Sequence, residues 1–388
     1  MESPGPASSE PGPDKHALDQ ARSREEWRNP RLTRNVFLWP TLVVVLFLAI
    51  FPLIVSLGLA LSNFQLAQGG FSIKFIGLSN FQNLFFGADR NHFLGVFAAP
   101  SAVGWLVFLG GGAAIVAAFA RYARGGRTSL VGIAGRVVFG ALTLAFLWMV
   151  ASTLFGSGGR PGTLTVTFLY TFVGTGLEYL IGLGLAMLTI QKLAGQRFFR
   201  VVFLLPMTIT PVGIAYMFRM LTDTQGGPFA PVFTAAGMSN FAVLGDPWGA
   251  RVAVIVGDVW QWIPFMYVVL LAGLEGRALE TEEAGLVDGA SRWQIFRHIT
   301  LPMIIPISAT VILIRMIEAF KIIDLPNVLT GGGPGTATES VTLQSFQTWR
   351  AFNLGSSSAI AYTLLIVVTV VATAYARLVL PHAHRAND

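Results

Sequence analysis

Apolar runs of bilayer length recur along this chain, and nothing else in it limits the fold as strongly. They lie near Val36–Leu61, Phe97–Ala120, Leu130–Phe155, Leu164–Ile190, Phe199–Leu221, Ala250–Leu274, Met303–Asp324 and Ser358–Leu378. A hydrocarbon core of about 30 Å takes about 20 apolar residues in a helix, whereas barrel strands alternate apolar and polar side chains. These runs do not alternate, so they predict an all-α polytopic membrane helix bundle of about eight spans. Only 12% of the residues are charged, against roughly 25% in a soluble domain. There is no cysteine, which excludes disulfides and thiolate chemistry.

The basic residues predict which side each loop faces. One set of loops holds Lys15 and the N-terminal arginines, then Arg121, Arg124 and Arg127, then Lys192, Arg197 and Arg200. It continues with Arg277, Arg292 and Arg297, and ends with Arg377 and Arg385. The alternate loops hold Lys74, Arg90, Arg160 and Arg350. The bias keeps one sign through every crossing, so both termini are expected in the cytoplasm. Because the basic residues follow the spans, the net charge of +6 does not point to nucleic acid. Residues 1–35 read as a polar tail, disordered over Met1–Asp14. No short apolar core follows the start, so no signal peptide is expected.

One polar stretch, within the predicted cytoplasmic loop 278–302, is patterned too tightly for a plain connector: Glu283–Pro302, EAGLVDGASRWQIFRHITLP. Gly289 breaks it into two short helices. The first, near Ala278–Asp288, carries Glu280, Glu282 and Glu283 toward its N-terminal half. Ser291 and Gln294 have capping-box spacing for the second, and Trp293, Phe296 and Ile299 share one face of it. Leu301–Pro302 is expected to end the unit. An ordinary amphipathic loop remains the competing reading of these residues.

Glu283, Ala284 and the small Gly285, then Gly289, Ile299, Leu301 and Pro302, resemble the loop that marks the membrane subunits of ATP-binding-cassette (ABC) importers. Gly285 departs from that pattern, which usually has a second alanine. FLLPMTITP (Phe203–Pro211), DVWQWIP (Asp258–Pro264), DGASRW (Asp288–Trp293), and TGGGP after a Phe-Lys-x-x-Asp segment resemble sugar-importer permeases of the maltose/glycerol-3-phosphate type. The likeness covers about Thr163–Tyr375, the first span and its outer loop, where FIGLSNFQNLF stands. It implies a type I ABC importer permease fold, with the first span at 36–62 and a permease core at 163–380. It also implies partners: a cytoplasmic ATP-binding subunit dimer, a second homologous permease, an extracytoplasmic solute-binding protein and a sugar substrate. The location implied is a bacterial or archaeal cell membrane. Asp288, Ala290 and Arg297 join the motif residues as the expected ATPase-coupling set. The two spans at 91–162 depart from the common six-span form and are read as an insertion.

The chain has no Gly-x-x-x-x-Gly-Lys-Ser/Thr motif, so ATP hydrolysis is expected in a partner and not here. No metal or cofactor is expected. Arg315, Glu318, Lys321 and Asp324 form an alternating-sign ladder in one span. It reads as a self-paired structural ladder, or as a pathway with Arg315 deepest. Asp258, Trp260, Gln261, Trp262 and Tyr267 suit a sugar pocket, although the tryptophans also suit an interfacial belt. Pro206 and Pro211 bracket Thr208 and Thr210, where either a kink or freed carbonyls lining a pathway would follow. Tyr216 is a further pathway candidate. A self-contained secondary carrier and a non-transporting membrane scaffold are the rival functions.

Overall fold

In the computed structural model, residues 30–67, 70–124, 130–191, 195–238, 240–276 and 279–385 are described. The expected disorder of Met1–Asp14, the basic residues Lys15, Arg22, Arg24, Arg28, Arg127, Lys192 and Arg277, and Ala278 lie outside them. Residues up to Gly58 form one unit and Leu59 onward another. The first unit holds α1 (Leu38–Ala60) up to that point. This helix is interrupted by a π-helical turn, Leu46–Ile50.

In the second unit, β1 (Ser62–Ala67) and β2 (Gly70–Phe75) form an antiparallel hairpin with Phe64 opposite Ile73. Asn80 ties its base, its amide donating to the carbonyls of Ala60 and Ser62 at 2.8 and 3.0 Å. The apolar runs then become α2 (Ala102–Tyr122), α3 (Gly135–Thr153), α4 (Thr163–Thr189), α5 (Phe198–Thr208), α6 (Pro211–Leu221), α7 (Pro247–Glu275), α8 (Arg292–Ala319) and α9 (Leu354–Arg377). Among the described residues, seven helices are long and apolar enough to cross a membrane, or eight if α5 and α6 count as one span.

The run near Phe199–Leu221 is not one straight helix, because α5 and α6 meet at 98°. The residue before a proline is pushed out of the helical region, and Thr210 accordingly has ψ 144°. Its hydroxyl then caps α6, accepting from the Gly213 N–H at 3.3 Å. Leu301–Pro302 does not end the loop unit: the helix runs from Arg292 to Ala319. A π-helical turn, Phe296–Thr300, ends two residues before Pro302. This wider turn accommodates a ring that would otherwise clash with the carbonyl four residues back.

α2 and α3 form a hairpin whose stem is a close backbone approach, Gly95–Val96 pairing with Arg160–Pro161. A Cβ on Gly95 would stand 2.5 Å from the Arg160 carbonyl, so only glycine fits. The hairpin leans on α4 through Phe146 and Phe168, with ring centroids 4.3 Å apart. α7 is the central helix. Its buried Val254 and Val259 join Val166, Tyr170, Ile214 and Leu325 in one core. Its Met266 and Leu270 join Leu183, Ala186 and Ile304 in another.

Candidate functional site

Two sites emerge, one at the polar loop and one inside the bundle. At the loop, the helix Leu279–Val287 stops at Gly289, whose φ is +81°. The Gly289 N–H donates to Leu286 O at 3.1 Å, and the Ala290 N–H to Gly285 O at 3.0 Å. This is the Schellman closure, which requires a left-handed residue. Ser291 and Gln294 then make the expected capping box, with bonds of 3.4 and 2.7 Å.

At Gly285 a Cβ would stand 3.2 Å from Ile299 Cδ1 and 3.5 Å from Ile295 Cγ1. The two helices therefore close over Gly285. Thr300 Oγ1 adds a hydrogen bond to Glu282 at 2.5 Å. The buried residue of the second helix is Ile295, not Trp293, which is 66% exposed. Ile295 and Ile299 are four apart and both face Gly285, leaving Trp293 against Phe296 at 5.4 Å. Glu283, Ala284, Asp288, Gly289 and Arg297 are exposed, while Ala290, Ile299, Leu301 and Pro302 are half-buried. Sequence reasoning missed Leu286 and Val287, which are 56% and 87% exposed. Two adjacent apolar residues at the end of a short polar helix were the available signal. Asp288, Gly289, Gln294, Ile295 and His298 line a cavity of about 390 Å³ beside them. An apolar tip rimmed by charge is what a protein contact uses.

Inside the bundle, Arg315 does not pair along its own helix. Its Nε donates to Glu178 Oε2 at 2.7 Å. Its Nη2 donates to Glu178 Oε1 at 2.8 Å and to Asp258 Oδ2 at 2.5 Å. Trp262 covers the guanidinium, with its ring centroid 4.6 Å from Cζ. All three charged side chains are buried, Arg315 at 1%, Glu178 at 0% and Asp258 at 4% exposure. The expected ladder is thus corrected: Glu318 and Lys321 pair with each other at 2.7 Å on an exposed face, while Arg315 points inward. Glu178 on α4, Asp258 on α7 and Arg315 on α8 form one clasp across three helices. Its Nε and Nη2 are thus engaged by Glu178 and Asp258.

The other pathway candidates do not join this cluster. Gln261 is buried, and Trp260 is half-buried with its ring edge-on to Phe218 at 5.9 Å. Tyr267 is 1% exposed, and among the described residues its hydroxyl has no hydrogen-bond partner. Thr210, at the N-cap of α6, and Tyr216 on α6 are exposed. Glu178 was missed, although a lone Glu in an otherwise uncharged apolar run is a signal in itself.

Outside the spans, His92 Nε2 meets Glu339 Oε2 at 2.7 Å. The hydrogen bond to Glu339 raises the His92 pKa above its ordinary 6.5, against the opposing effect of burial. Because the folded value is raised, the stabilisation is complete below about 6.5 and is lost as pH climbs through the folded value. The difference in thermal unfolding between the native protein and His92→Gln should therefore be larger at pH 6 than at pH 8.5. An equal difference at both values would show that the pair does not titrate.

The family model described as "Binding-protein-dependent transport system inner membrane component" matches residues 178–384. The trehalose/maltose transport system permease protein MalF of Thermococcus litoralis is 34% identical over 203 residues, 52% of this chain and 69% of that protein. The trehalose transport system permease protein SugA of Mycobacterium tuberculosis is 33% identical over 218 residues, 55% and 68% of the two chains. A crystal structure of a bacterial ABC transporter involved in the import of the acidic polysaccharide alginate shares the fold. Its TM-score is 0.50 at 21% identity, over 60% of this chain and 82% of that one.

Proposed function

Because the chain belongs to the family of binding-protein-dependent transport system inner membrane components, matched over residues 178–384, we propose that it forms half of the translocation pathway of an ATP-driven sugar importer. The observation that carries the reading is the knob at Glu283–Pro302, a rigid helix–Gly–helix with an exposed apolar tip at Leu286 and Val287. A cytoplasmic ATPase dimer grips that knob. A second homologous permease completes the pathway, and an external solute-binding protein delivers substrate to the outer loops. A sugar of the trehalose/maltose class is favoured by the names of the relatives. The chain divides into a polar tail at 1–35, a first span at 36–62, an insertion at 91–162 and a permease core at 163–380. A self-contained carrier or an inert scaffold has no use for such a knob.

Both termini and the knob face the cytoplasm in this reading, and Leu329–Gly335 faces outside. The chain has no cysteine, so single cysteines at Ser3, Ser291 and Thr336 report their side cleanly. An impermeant thiol reagent added to intact cells should label position 336 alone. Labelling of 3 or 291 from outside overturns the orientation. Uptake of trehalose or maltose by the reconstituted complex should require ATP and the separate ATPase.

A further inference from the structure

The β1–β2 hairpin has one apolar face and one polar face. Phe64 stands opposite Ile73, and alternate residues of a strand share a face, so Phe64, Phe71, Ile73 and Phe75 point to one side. The Phe64 ring stacks on Phe71 with centroids 5.6 Å apart, in keeping with that register. Asn63, Ser72 and Lys74 take the other side. Phe71, Ile73 and Phe75 are 68%, 55% and 73% exposed. Scattered exposed apolar residues are ordinary, but a contiguous row marks a contact. A two-stranded ribbon is marginally stable alone in water, so whatever covers that face also holds the hairpin.

A second aromatic group stands across a cavity of about 460 Å³, lined by Phe64, Trp349, Arg350, Phe352 and Leu354. There the helix Val341–Arg350 ends in a Schellman closure. The Phe352 N–H donates to Trp349 O at 2.9 Å and the Asn353 N–H to Thr348 O at 3.1 Å. Phe352 thus occupies the position that usually takes glycine, at φ +59°, a costly conformation for a residue with a Cβ. Its side chain is exposed, as is that of Trp349, so packing within the chain does not offset that cost. Both aromatic groups stand where candidate spans end. Ser62 follows the last residue of α1 by two positions, and Phe352 precedes the first residue of α9 by two. Bilayer interfaces concentrate aromatic side chains at this depth, with Lys and Arg reaching outward beside them. Lys74 and Arg350 are the charged residues of 59–88 and 340–353.

We propose that the apolar face of the hairpin rests in the headgroup region of the phospholipid bilayer, on the leaflet opposite the Glu283–Pro302 knob. A ribbon of two strands has two edges of unpaired N–H and C=O groups. Those edges keep it out of the hydrocarbon core and in the wet interface. Phe71, Ile73 and Phe75 enter the lipid, and Lys74 on the opposite face stays in water. The proposal needs only that α1 and α9 cross the bilayer. It stands apart from the sugar and ATPase assignments.

The chain has no cysteine, so Phe71→Cys, Ser72→Cys, Ile73→Cys, Lys74→Cys and Phe75→Cys can each carry one nitrobenzoxadiazole label. The full chain is placed in nanodiscs of phosphatidylcholine and phosphatidylglycerol. All five residues are exposed, so labels there leave the packed core undisturbed, and a size-exclusion profile checks this. Lipids bearing a nitroxide at the headgroup or on the acyl chain report the depth of each label, and iodide reports its access to water. Labels at 71, 73 and 75 should be quenched by the lipid nitroxides and shielded from iodide, about 5–10 Å deeper than those at 72 and 74. Iodide reaching all five equally overturns the proposal, because the face would then lie in water. Shielding of 71, 73 and 75 without lipid quenching also overturns it, and assigns the face to a protein contact. So does equal lipid quenching at all five positions, since the two faces would then not be distinguished.

Discussion

Replacing Arg315 with Met should remove most of the folded protein from the membrane. The side chain is 1% exposed and answers two carboxylates at once, Glu178 and Asp258. Without it, two buried acids face each other with no counter-charge. Breaking a buried ion pair from one side costs about 3–5 kcal/mol, a large part of the stability of an ordinary domain. Arg315→Lys should rescue poorly, because an ammonium cannot reproduce the Nε and Nη2 fork that spans Glu178. The triple change Glu178→Gln, Asp258→Asn, Arg315→Met should recover much of the protein, because it removes the buried charge together with its partner. Size-exclusion profiles and abundance of solubilised protein read this directly. Normal abundance of Arg315→Met would show that the clasp does not hold α4, α7 and α8 together.

Gly289→Val should release the ATPase, or uncouple its hydrolysis from uptake, while the protein still inserts. A Cβ at Gly289 would meet nothing within 4 Å, so bulk within the chain is not the cause. The cause is φ +81°, a conformation that a β-branched residue adopts only at a cost of about 1–2 kcal/mol. That cost acts on the Schellman closure, and with it on the angle between Leu279–Val287 and the helix that starts at Arg292. Gly289→Asn, which tolerates the left-handed region, should retain most coupling. Gly285→Ala should be nearly neutral, since the contact at 3.2 Å is the flexible end of Ile299. If Gly289→Val couples as the native chain does, the knob's angle is irrelevant to docking.

Features set by neighbours in sequence were legible before any coordinates. The break near Pro206–Pro211, the helix break at Gly289 and the Ser291–Gln294 box each follow from residues a few positions apart, and each stands in the structure. Features set by distant helices were not. Arg315 has an opposite charge three residues on at Glu318, so local spacing favoured the ladder. Its actual partners lie 57 and 137 residues away in sequence. Only the packing of α4, α7 and α8 decides which face of α8 is interior. The same holds at the knob, where the helical period grouped Trp293, Phe296 and Ile299 on one face, while the closure over Gly285 buries Ile295. Exposed apolar residues such as Val287 are invisible to a reading that assigns apolar side chains to cores.

The central claim is that Glu283–Pro302 is where a separate ATPase grips this chain. A single cysteine at Asp288, in the cysteine-free chain, can be paired with a short bifunctional thiol reagent in membranes holding the assembled importer. A cysteine at Gly158, on the proposed outer side, is the control. The account predicts a crosslink from position 288 to the ATPase, strengthened or weakened by nucleotide, and none from position 158. Absence of that crosslink while uptake stays fully ATP-dependent would contradict it.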